Sequence, residues 1–526
     1  MKKFLSTKLF FALTILCVIF LMYGKAVNFG LLSLDDTTSI TDNLKKISKV
    51  KNIPYLFTTN CYNEEHATIP YYRPILVLTF SIETILFGHN TKVYHFGNLY
   101  LFVLAFFIMY LFLVKLNFNK TISKFFLLLL AVHPVISSTA AYVSTRAEIL
   151  LAIFVILSLI NLIDYLETKK KIYLILFIFL YVLSLFTKES ALIFFPLYFI
   201  FIFLFNYKFT AKEYIKLFIL LIVPTTLYFI CRNAAVPKTD LFYFLTSTTT
   251  YINFINIMAL YVRKIFFPDY IHTILYDIQI SVTNITISIF FIIILAIVFY
   301  KKFASRKIIL ISLFVIIGLL FPTVFMYENQ VFYHRLFLPL FFLTMIFIQV
   351  TDTILKKKKS LKNLFLLIFI ILMPLFSLIS FKNIDKYINS DIFWLNAYKD
   401  APNYHLCCSG LAKQFFYAQE YEEALKLFKE AKALDDLFEY SLNISTMLIA
   451  LDRFDEAEKI LLELYEKKEN FIVIFYLSQV YYYKNEMKKA IDFAKYAYAI
   501  NPNDSMLLKH IERLPGFDLD IYKLKE

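Results

Sequence analysis

Long apolar runs separated by short polar and basic segments dominate the chain from its N-terminus to about Phe381. Eleven of these runs, most of them 14 to 21 residues long, are candidates for membrane-crossing helices, which take about 20 apolar residues. They cover residues 9–23, 94–114, 125–132, 149–163, 173–186, 191–205, 217–230, 287–300, 308–326, 336–350 and 364–378. The pattern predicts an all-α fold in which residues 1–380 form a polytopic bundle of about eleven membrane-spanning helices.

Two further apolar stretches are not counted as spans. Pro74–Phe87 is short and carries Glu83 in its middle, so we expect a helix that lies at the outer interface. Residues 252–267 carry Arg263 and Lys264, which favours an interfacial or re-entrant segment. Counting Pro74–Phe87 as a span would place the later basic clusters outside, against the positive-inside rule.

Clusters of Lys and Arg follow every second apolar run and indicate the orientation of the helices. Basic residues precede the first run, and no small-residue cleavage motif follows it, so we expect a retained span rather than a signal peptide. The positive-inside rule then places the N-terminus in the cytoplasm and the part from about Phe381 onward on the extracytoplasmic side. The Lys-, Ile- and Phe-rich composition favours the cytoplasmic (inner) membrane of a prokaryote.

Composition supports a membrane protein and excludes several other classes. The chain is 60% hydrophobic and 18% charged, with 60 Phe and 7 Gly, and its mean hydropathy is +0.65. The net charge of +14 comes from the clusters between apolar runs, so no nucleic-acid partner is expected. The five Cys lack the spacing of metal ligands, which argues against a zinc site or a disulfide scaffold.

Charged residues also gather in the predicted outer loops, beside the ends of the spans. Two adjacent carboxylates lie in the first loop, and they could equally begin a solvated loop. The candidate residues are Asp35, Asp36, Arg73, His133, Arg146, Glu148, Lys188, Glu189, Glu328, His334 and Arg335. Ionisable groups at such positions often mark a functional cavity. Carboxylates can serve as a general base or hold a metal ion, whereas Arg and Lys can bind phosphate.

The C-terminal part changes composition sharply at Trp394 and contains a repeat. Its markers recur at one constant spacing: Phe415, Leu448 and Tyr481, each followed by Ala424, Ala457 and Ala490, with Asn501-Pro502 closing the third unit. The pattern resembles the tetratricopeptide (TPR) repeat, a helix–turn–helix unit of about 34 residues. It predicts a linker at 381–402 and about three TPR units at 403–514, which would bind a protein partner or serve a structural role.

The order of the motifs extends the resemblance to nearly the whole chain. The motifs are Leu34-Asp-Asp, Tyr72-Arg-Pro, His95-x-x-Asn, His133-Pro-Val, Ser144-Thr-Arg-Ala-Glu-Ile-Leu, Thr187-Lys-Glu and His334-Arg-Leu-Phe-Leu-Pro. Together with the repeats, they resemble the membrane-embedded GT-C glycosyltransferases that carry C-terminal TPRs. This group includes the transmembrane-and-TPR O-mannosyltransferases and their bacterial relatives.

The resemblance implies an inverting transfer from a polyprenyl- or dolichyl-phosphate sugar donor, with the active site facing away from the cytoplasm. By match to Leu-Asp-Asp, the base that activates the acceptor is Asp36 or Asp35, and Asp36 is preferred. Arg73, Arg146 and Arg335 become candidates for binding the donor phosphate. The other candidates would line the substrate cavity, and the TPR units would present an acceptor protein.

One departure from the family pattern concerns Ser138, where relatives often have a Glu five residues after the His of His-Pro. The second carboxylate expected in this loop is therefore missing, unless Glu148 supplies it. Whether the transfer depends on a divalent metal ion stays open. Two other functions compete with the transferase. A membrane-anchored TPR scaffold of an envelope complex would account for the repeats alone. A transporter of lipid-linked sugars would favour spans broken by Gly or Pro in paired positions.

Overall fold

A computed structural model describes residues 2–62, 71–236, 248–276, 281–322, 331–515 and 517. The chain divides into two compact units, Met1–Phe393 and Trp394–Glu526. The boundary lies inside the predicted linker at 381–402, much of which is helical. Over the described residues the fold is all-α as predicted, and its β structure is a single bridge between Leu275 and Val331.

The first unit contains fifteen α-helices within the described residues, and a sixteenth crosses the boundary between the units. They are α1 (Lys2–Tyr23), α2 (Leu44–Ile47), α3 (Pro74–Phe87), α4 (Thr91–Lys115), α5 (Lys120–Ala131), α6 (Ser137–Ala141), α7 (Arg146–Thr168), α8 (Lys171–Leu185), α9 (Phe194–Leu204), α10 (Ala211–Ala235), α11 (Thr248–Phe266), α12 (Val282–Tyr300), α13 (Arg306–Leu320), α14 (Phe337–Lys357), α15 (Lys362–Asn383) and α16 (Ser390–Asp400). Short 3-10 and π-helical turns connect several of them.

Local sequence signals explain where several helices begin. The Asn119 side chain accepts hydrogen bonds from the backbone N–H groups of Thr121 and Ile122 and caps α5. Thr210 and Glu213 form a reciprocal capping box at the start of α10. These caps satisfy backbone donors that the first turn of a helix would otherwise leave unpaired.

Seven helical segments within the described residues are long and apolar enough to cross a membrane. They are Lys8–Asn28, Thr91–Lys115, Val143–Thr168, Ala211–Ala235, Val282–Tyr300, Tyr333–Lys357 and Lys359–Tyr387. An eighth results if α5 and Pro134–Ala141, which meet at a bend of 58°, form one span. This arrangement is compatible with a multi-pass integral membrane protein.

The remaining predicted spans fall on shorter helices. Helix α8 has 15 residues and α9 has 11, so they rise roughly 22 Å and 16 Å, against a hydrocarbon core of about 30 Å. The predicted span at 308–326 begins in α13, and its residues 323–326 lie outside the described residues. The count of eleven spans is therefore not confirmed, and it stays a prediction.

Helix α3 is fixed inside the first unit by a buried ion pair. Arg146, the first residue of α7, has no exposed surface, and its Nη1 lies 2.8 Å from a carboxylate oxygen of Glu83 in α3. Its Nη2 donates to the backbone oxygen of Tyr94 in α4 at 2.6 Å. A Cβ at Gly97 would collide with the Glu83 carboxylate, so glycine lets α3 and α4 approach closely. The three helices hold Arg73, which directly precedes α3, in a defined position.

The second unit repeats a pair of helices. These are α17 (His405–Tyr417), α18 (Tyr421–Leu434), α19 (Phe438–Ala450), α20 (Phe454–Lys467), α21 (Phe471–Tyr483) and α22 (Met487–Ile500), followed by α23 (Ser505–Ile511). Each helix packs against the next one in the chain. The turns inside the pairs place Gln419, Asp452 and Asn485, which recur at the same spacing as the sequence markers, in the left-handed backbone region.

The small residues that mark the repeat are fully buried where the helices of a pair meet. Ala424, Ala457 and Ala490 have no exposed surface, as expected for residues at close helix crossings. The helical pairs of the sequence prediction are therefore present, whereas the identity of the repeat as TPR stays a prediction.

Candidate active site

Asp36 lies in the loop after the first span and is completely buried. Its Oδ1 accepts hydrogen bonds from the backbone N–H and the hydroxyl of Ser144, at 2.7 and 2.5 Å, and its Oδ2 accepts from the Leu32 N–H at 3.1 Å. Burial raises the pKa of Asp36 to about 7, although these hydrogen bonds oppose the shift. The carboxylate thus ties the loop to the beginning of α7, and solvent does not reach it.

Asp35 is half-buried, and among the described residues its carboxylate has fewer hydrogen-bond donors around it than that of Asp36. Its Oδ1 accepts a hydrogen bond from the Tyr62 hydroxyl at 2.8 Å, and its backbone N–H donates to the Tyr142 hydroxyl at 3.1 Å. Burial raises the pKa of Tyr62 well above its ordinary value, so this hydroxyl stays protonated and remains a donor. Tyr62 therefore orients the carboxylate, and Tyr142 holds the backbone of the same residue.

Arg73 and Glu189 form an ion pair beside these tyrosines. Both Nε and Nη2 of Arg73 lie 3.1 Å from the same carboxylate oxygen of Glu189. The guanidinium also lies 4.2 Å from the ring centroid of Tyr71, whose ring is 5.8 Å from that of Tyr62. A continuous series of contacts therefore leads from Asp35 through two aromatic rings to Arg73.

Lys188 and Glu189 are adjacent in sequence and join different helices. Lys188 forms a close ion pair with Glu148 in the first turn of α7, whereas Glu189 binds Arg73 before α3. The Lys188 side chain is 16% exposed and that of Glu148 is 7% exposed. Burial lowers the pKa of Lys188, and Glu148 opposes that shift. The adjacent residues Lys188 and Glu189 therefore hold two ion pairs, one with Glu148 and one with Arg73, close together.

His334 and Arg335 approach the same group from the turn before α14. The His334 ring stacks on Phe332 at 5.3 Å, and its centroid is 6.4 Å from that of Tyr142. The charges of Arg335, Lys188 and Arg73 all act on the His334 imidazole. The charges of Asp35 and Arg335 both act on the Tyr71 hydroxyl. Residues from five separate stretches of the chain thus converge at one end of the bundle.

Two candidate residues are engaged elsewhere. Arg146 contacts Glu83, Thr79 and the Tyr94 carbonyl, and these partners are not among the candidates. The Nε2 of His133 lies 3.0 Å from the backbone oxygen of Ile265, and its Nδ1 accepts from the Val135 N–H at 3.3 Å. His133 therefore has structural partners, and Arg146 differs from Arg73 and Lys188 in having no exposed surface, which argues against Arg146 as a ligand of donor phosphate.

Three residues that sequence reasoning did not select complete the group. Tyr62 and Tyr142 contact Asp35, and Ser144 holds Asp36. With 38 Tyr in the chain, composition gives no reason to prefer these two. Ser144 opens the Ser-Thr-Arg-Ala-Glu motif, and this placement was the signal that could have found it.

The described residues contain no group of three or more His, Cys, Asp or Glu side chains arranged to hold a metal ion. Ser138, where the family resemblance expects Glu, is buried in α6. Glu148, its expected substitute, is paired with Lys188. Glu328, the remaining candidate, lies outside the described residues.

No protein-family model matches this chain, and no curated protein matches it in sequence.

Proposed function

We propose that the chain is a membrane glycosyltransferase that moves a sugar from a polyprenyl-phosphate-linked donor to a hydroxyl of an acceptor protein. The observation that carries the proposal is the convergence of a half-buried carboxylate, Asp35, with the cations Arg73, Lys188 and Arg335 through the contacts of Tyr62, Tyr71 and Glu189. A transfer of this kind needs a base at the acceptor oxygen and positive charge at the departing phosphate. One group of residues offers both, although Glu189 and Glu148 already pair with Arg73 and Lys188.

Asp35 takes the role of the general base in this proposal. A base must come within hydrogen-bond reach of the proton that it removes, and Asp35 is half-buried whereas Asp36 is fully buried with three donors around it. This assignment reverses the preference for Asp36 that followed from the sequence. Asp36 becomes a positioning residue, because it fixes the loop that carries Asp35.

The reaction is a direct displacement at the anomeric carbon. The acceptor oxygen, losing its proton to Asp35, forms the new bond as the bond between the anomeric carbon and the phosphate oxygen breaks. The configuration at that carbon inverts, and the lipid phosphate leaves with the electron pair. Arg73 and Lys188, with Arg335 beside them, stabilise the charge of the departing phosphate. An arginine does so through two parallel N–H groups, and the lysine acts as a point charge.

The wider arrangement belongs to the same proposal. The site would face the extracytoplasmic side of a prokaryotic inner membrane, with up to eleven spans. The lipid tail of the donor would lie between helices, and the C-terminal repeats, taken as TPR units, would bind the acceptor protein. The group of charges favours this function over a scaffold, which needs the repeats but no charged cavity.

Replacement of both Asp35 and Asp36 by Asn tests the proposal in membranes supplied with a polyprenyl-phosphate sugar. We expect sugar transfer to be lost while the chain still inserts into the membrane. The chain offers a matched control in a second pair of adjacent aspartates, Asp435 and Asp436, at the turn after α18. The doubly substituted control should keep its activity, and an active Asp35→Asn/Asp36→Asn variant would refute the assignment.

A further inference from the structure

Several clusters of basic residues in the first unit lie at the ends of its helices that point away from the candidate active site. Helix α7 illustrates the separation, since Glu148 lies in its first turn and Lys169 directly follows its last residue. The helix has 23 residues, which corresponds to a length of roughly 34 Å. Helix α14 likewise follows His334 and Arg335 and ends with Lys356 and Lys357.

Contacts between successive turns show that these basic ends belong to one surface. The linking contacts are Lys169 to Glu213 at 3.0 Å, Lys307 to the Phe205 ring at 5.6 Å, Ser305 N–H to Gln349 at 2.8 Å, Lys357 to the Phe303 ring at 5.2 Å, and Asn119 to Asp352 at 2.8 Å. They join the ends of α5, α7, α9, α10, α12, α13 and α14. A continuous positively charged end results.

One shallow, largely open groove along a single helix, α10, combines cations with exposed apolar side chains. Its volume is about 320 Å³, and it is lined by Lys212, Ile215, Lys216, Ile219 and Leu220 of α10. The spacing of three and four residues places these side chains on one face of the helix. Ile215 is 60% exposed and Ile219 is 53% exposed. The two lysines therefore lie near the beginning of α10, and the apolar side chains continue along the same face into the predicted span.

Within the described residues, the two lysines of the groove have no acidic partner, in contrast to Lys169 and Lys115 at the same end of the bundle. Lys169 binds Glu213, and Lys115 binds Asp164 and Glu167. Within the described residues, neither Lys212 nor Lys216 forms an ion pair or a hydrogen bond through its side chain. Their charge is thus available to an anion at the level of the membrane surface.

We propose that this groove binds an anionic phospholipid of the surrounding leaflet. The lipid phosphate contacts Lys212 and Lys216, and one acyl chain lies along Ile215 and Ile219. Charge complementarity identifies the headgroup, and the adjoining isoleucines identify the ligand as a lipid rather than a soluble phosphate, which would gain nothing from an apolar wall. The proposal is independent of the glycosyltransferase activity, because it concerns the opposite end of the bundle.

Lipid binding to the full-length chain in neutral detergent tests this proposal by native mass spectrometry. Phosphatidylglycerol and phosphatidylcholine with identical acyl chains are titrated against the wild type and Lys212→Gln/Lys216→Gln. We expect the wild type to prefer phosphatidylglycerol and the variant to bind it roughly twentyfold to thirtyfold more weakly, about fivefold for each lysine. Ile215→Ser/Ile219→Ser should weaken the binding of both lipids.

Lys45→Gln/Lys49→Gln is the matched control, since these exposed lysines are also four residues apart but lie in the loop after the first span. We expect this variant to bind phosphatidylglycerol like the wild type, and all variants to keep the wild-type circular dichroism spectrum. Equal binding of phosphatidylglycerol by Lys212→Gln/Lys216→Gln and the wild type would overturn the proposal. Displacement of the lipid by inorganic phosphate at a similar concentration would also overturn it, because the groove would then be a site for a soluble anion.

Discussion

The buried ion pair between Glu83 and Arg146 predicts an asymmetric response to mutation. Arg146 has no exposed surface, and Glu83 has 17% of its side chain exposed. Glu83→Gln keeps the shape of the side chain but leaves a permanently charged guanidinium in the interior, since Arg does not lose its proton in proteins. Breaking a buried pair in this way costs about 3–5 kcal/mol. We expect a loss of this size in the free energy of unfolding.

Arg146→Met leaves the Glu83 carboxylate without its partner. Unlike a guanidinium, this carboxylate can become neutral by taking up a proton. Burial raises the pKa of Glu83, and Arg146 opposes the shift, so removing Arg146 raises this pKa further. A carboxyl group whose folded pKa exceeds its unfolded pKa costs nothing below the unfolded value of about 4.5 and destabilises the fold as pH rises through the folded pKa. The Arg146→Met variant should therefore lose stability as pH rises above about 4.5.

Unfolding of the detergent-solubilised chain, followed by tryptic digestion and by circular dichroism, measures both effects. We expect Glu83→Gln to be unstable at every pH and Arg146→Met to approach the wild type near pH 5. The double variant Glu83→Leu/Arg146→Met removes both charges and should recover most of the lost stability. Equal and pH-independent losses for the two single variants, with no recovery in the double variant, would refute the reasoning.

Three other variants have defined expected outcomes. Because burial raises the pKa of Asp36 to about 7 from 3.8, its contribution to stability should be lost as pH rises from about 4 to 7, and Asp36→Asn should flatten that dependence in thermal melts. Gly410→Ala should destabilise the second unit by about 1–3 kcal/mol, because the added methyl group would collide with the Trp394 ring; the variant's melting curve measures this loss. Arg73→Lys keeps the charge but loses the two-nitrogen contact with Glu189, so the rate of sugar transfer should fall at least roughly tenfold.

Hydrophobic patterning was sufficient to predict the all-α class and the helical pairs of the second unit. Long apolar runs favour helices over strands because of their length, and an Ala that recurs at a constant spacing within a repeated pattern indicates a close helix crossing. The number of spans could not be obtained in the same way. Helix α8 is as apolar as the longer segments, and its length depends on where the surrounding turns terminate it.

The candidate site was only partly predictable because a sequence places residues at the end of a helix but not on a given face of it. Lys188, Glu189 and Arg73 converge as the clustering in the outer loops suggested. Arg146 also lies at the end of a span beside a predicted outer loop, yet its side chain forms an ion pair with Glu83 and does not join this group. The choice between Asp35 and Asp36 required burial and hydrogen-bond partners, because adjacent residues in a turn point in different directions.

Glycan mass spectrometry of envelope proteins tests the central claim most directly. It compares cells that contain the wild-type chain, cells that lack it, and cells that carry the Asp35→Asn variant at the same membrane level. We predict that a class of glycans disappears without the chain and is not restored by Asp35→Asn. The same glycans in all three samples would contradict the assignment of a glycosyltransferase with Asp35 as its base.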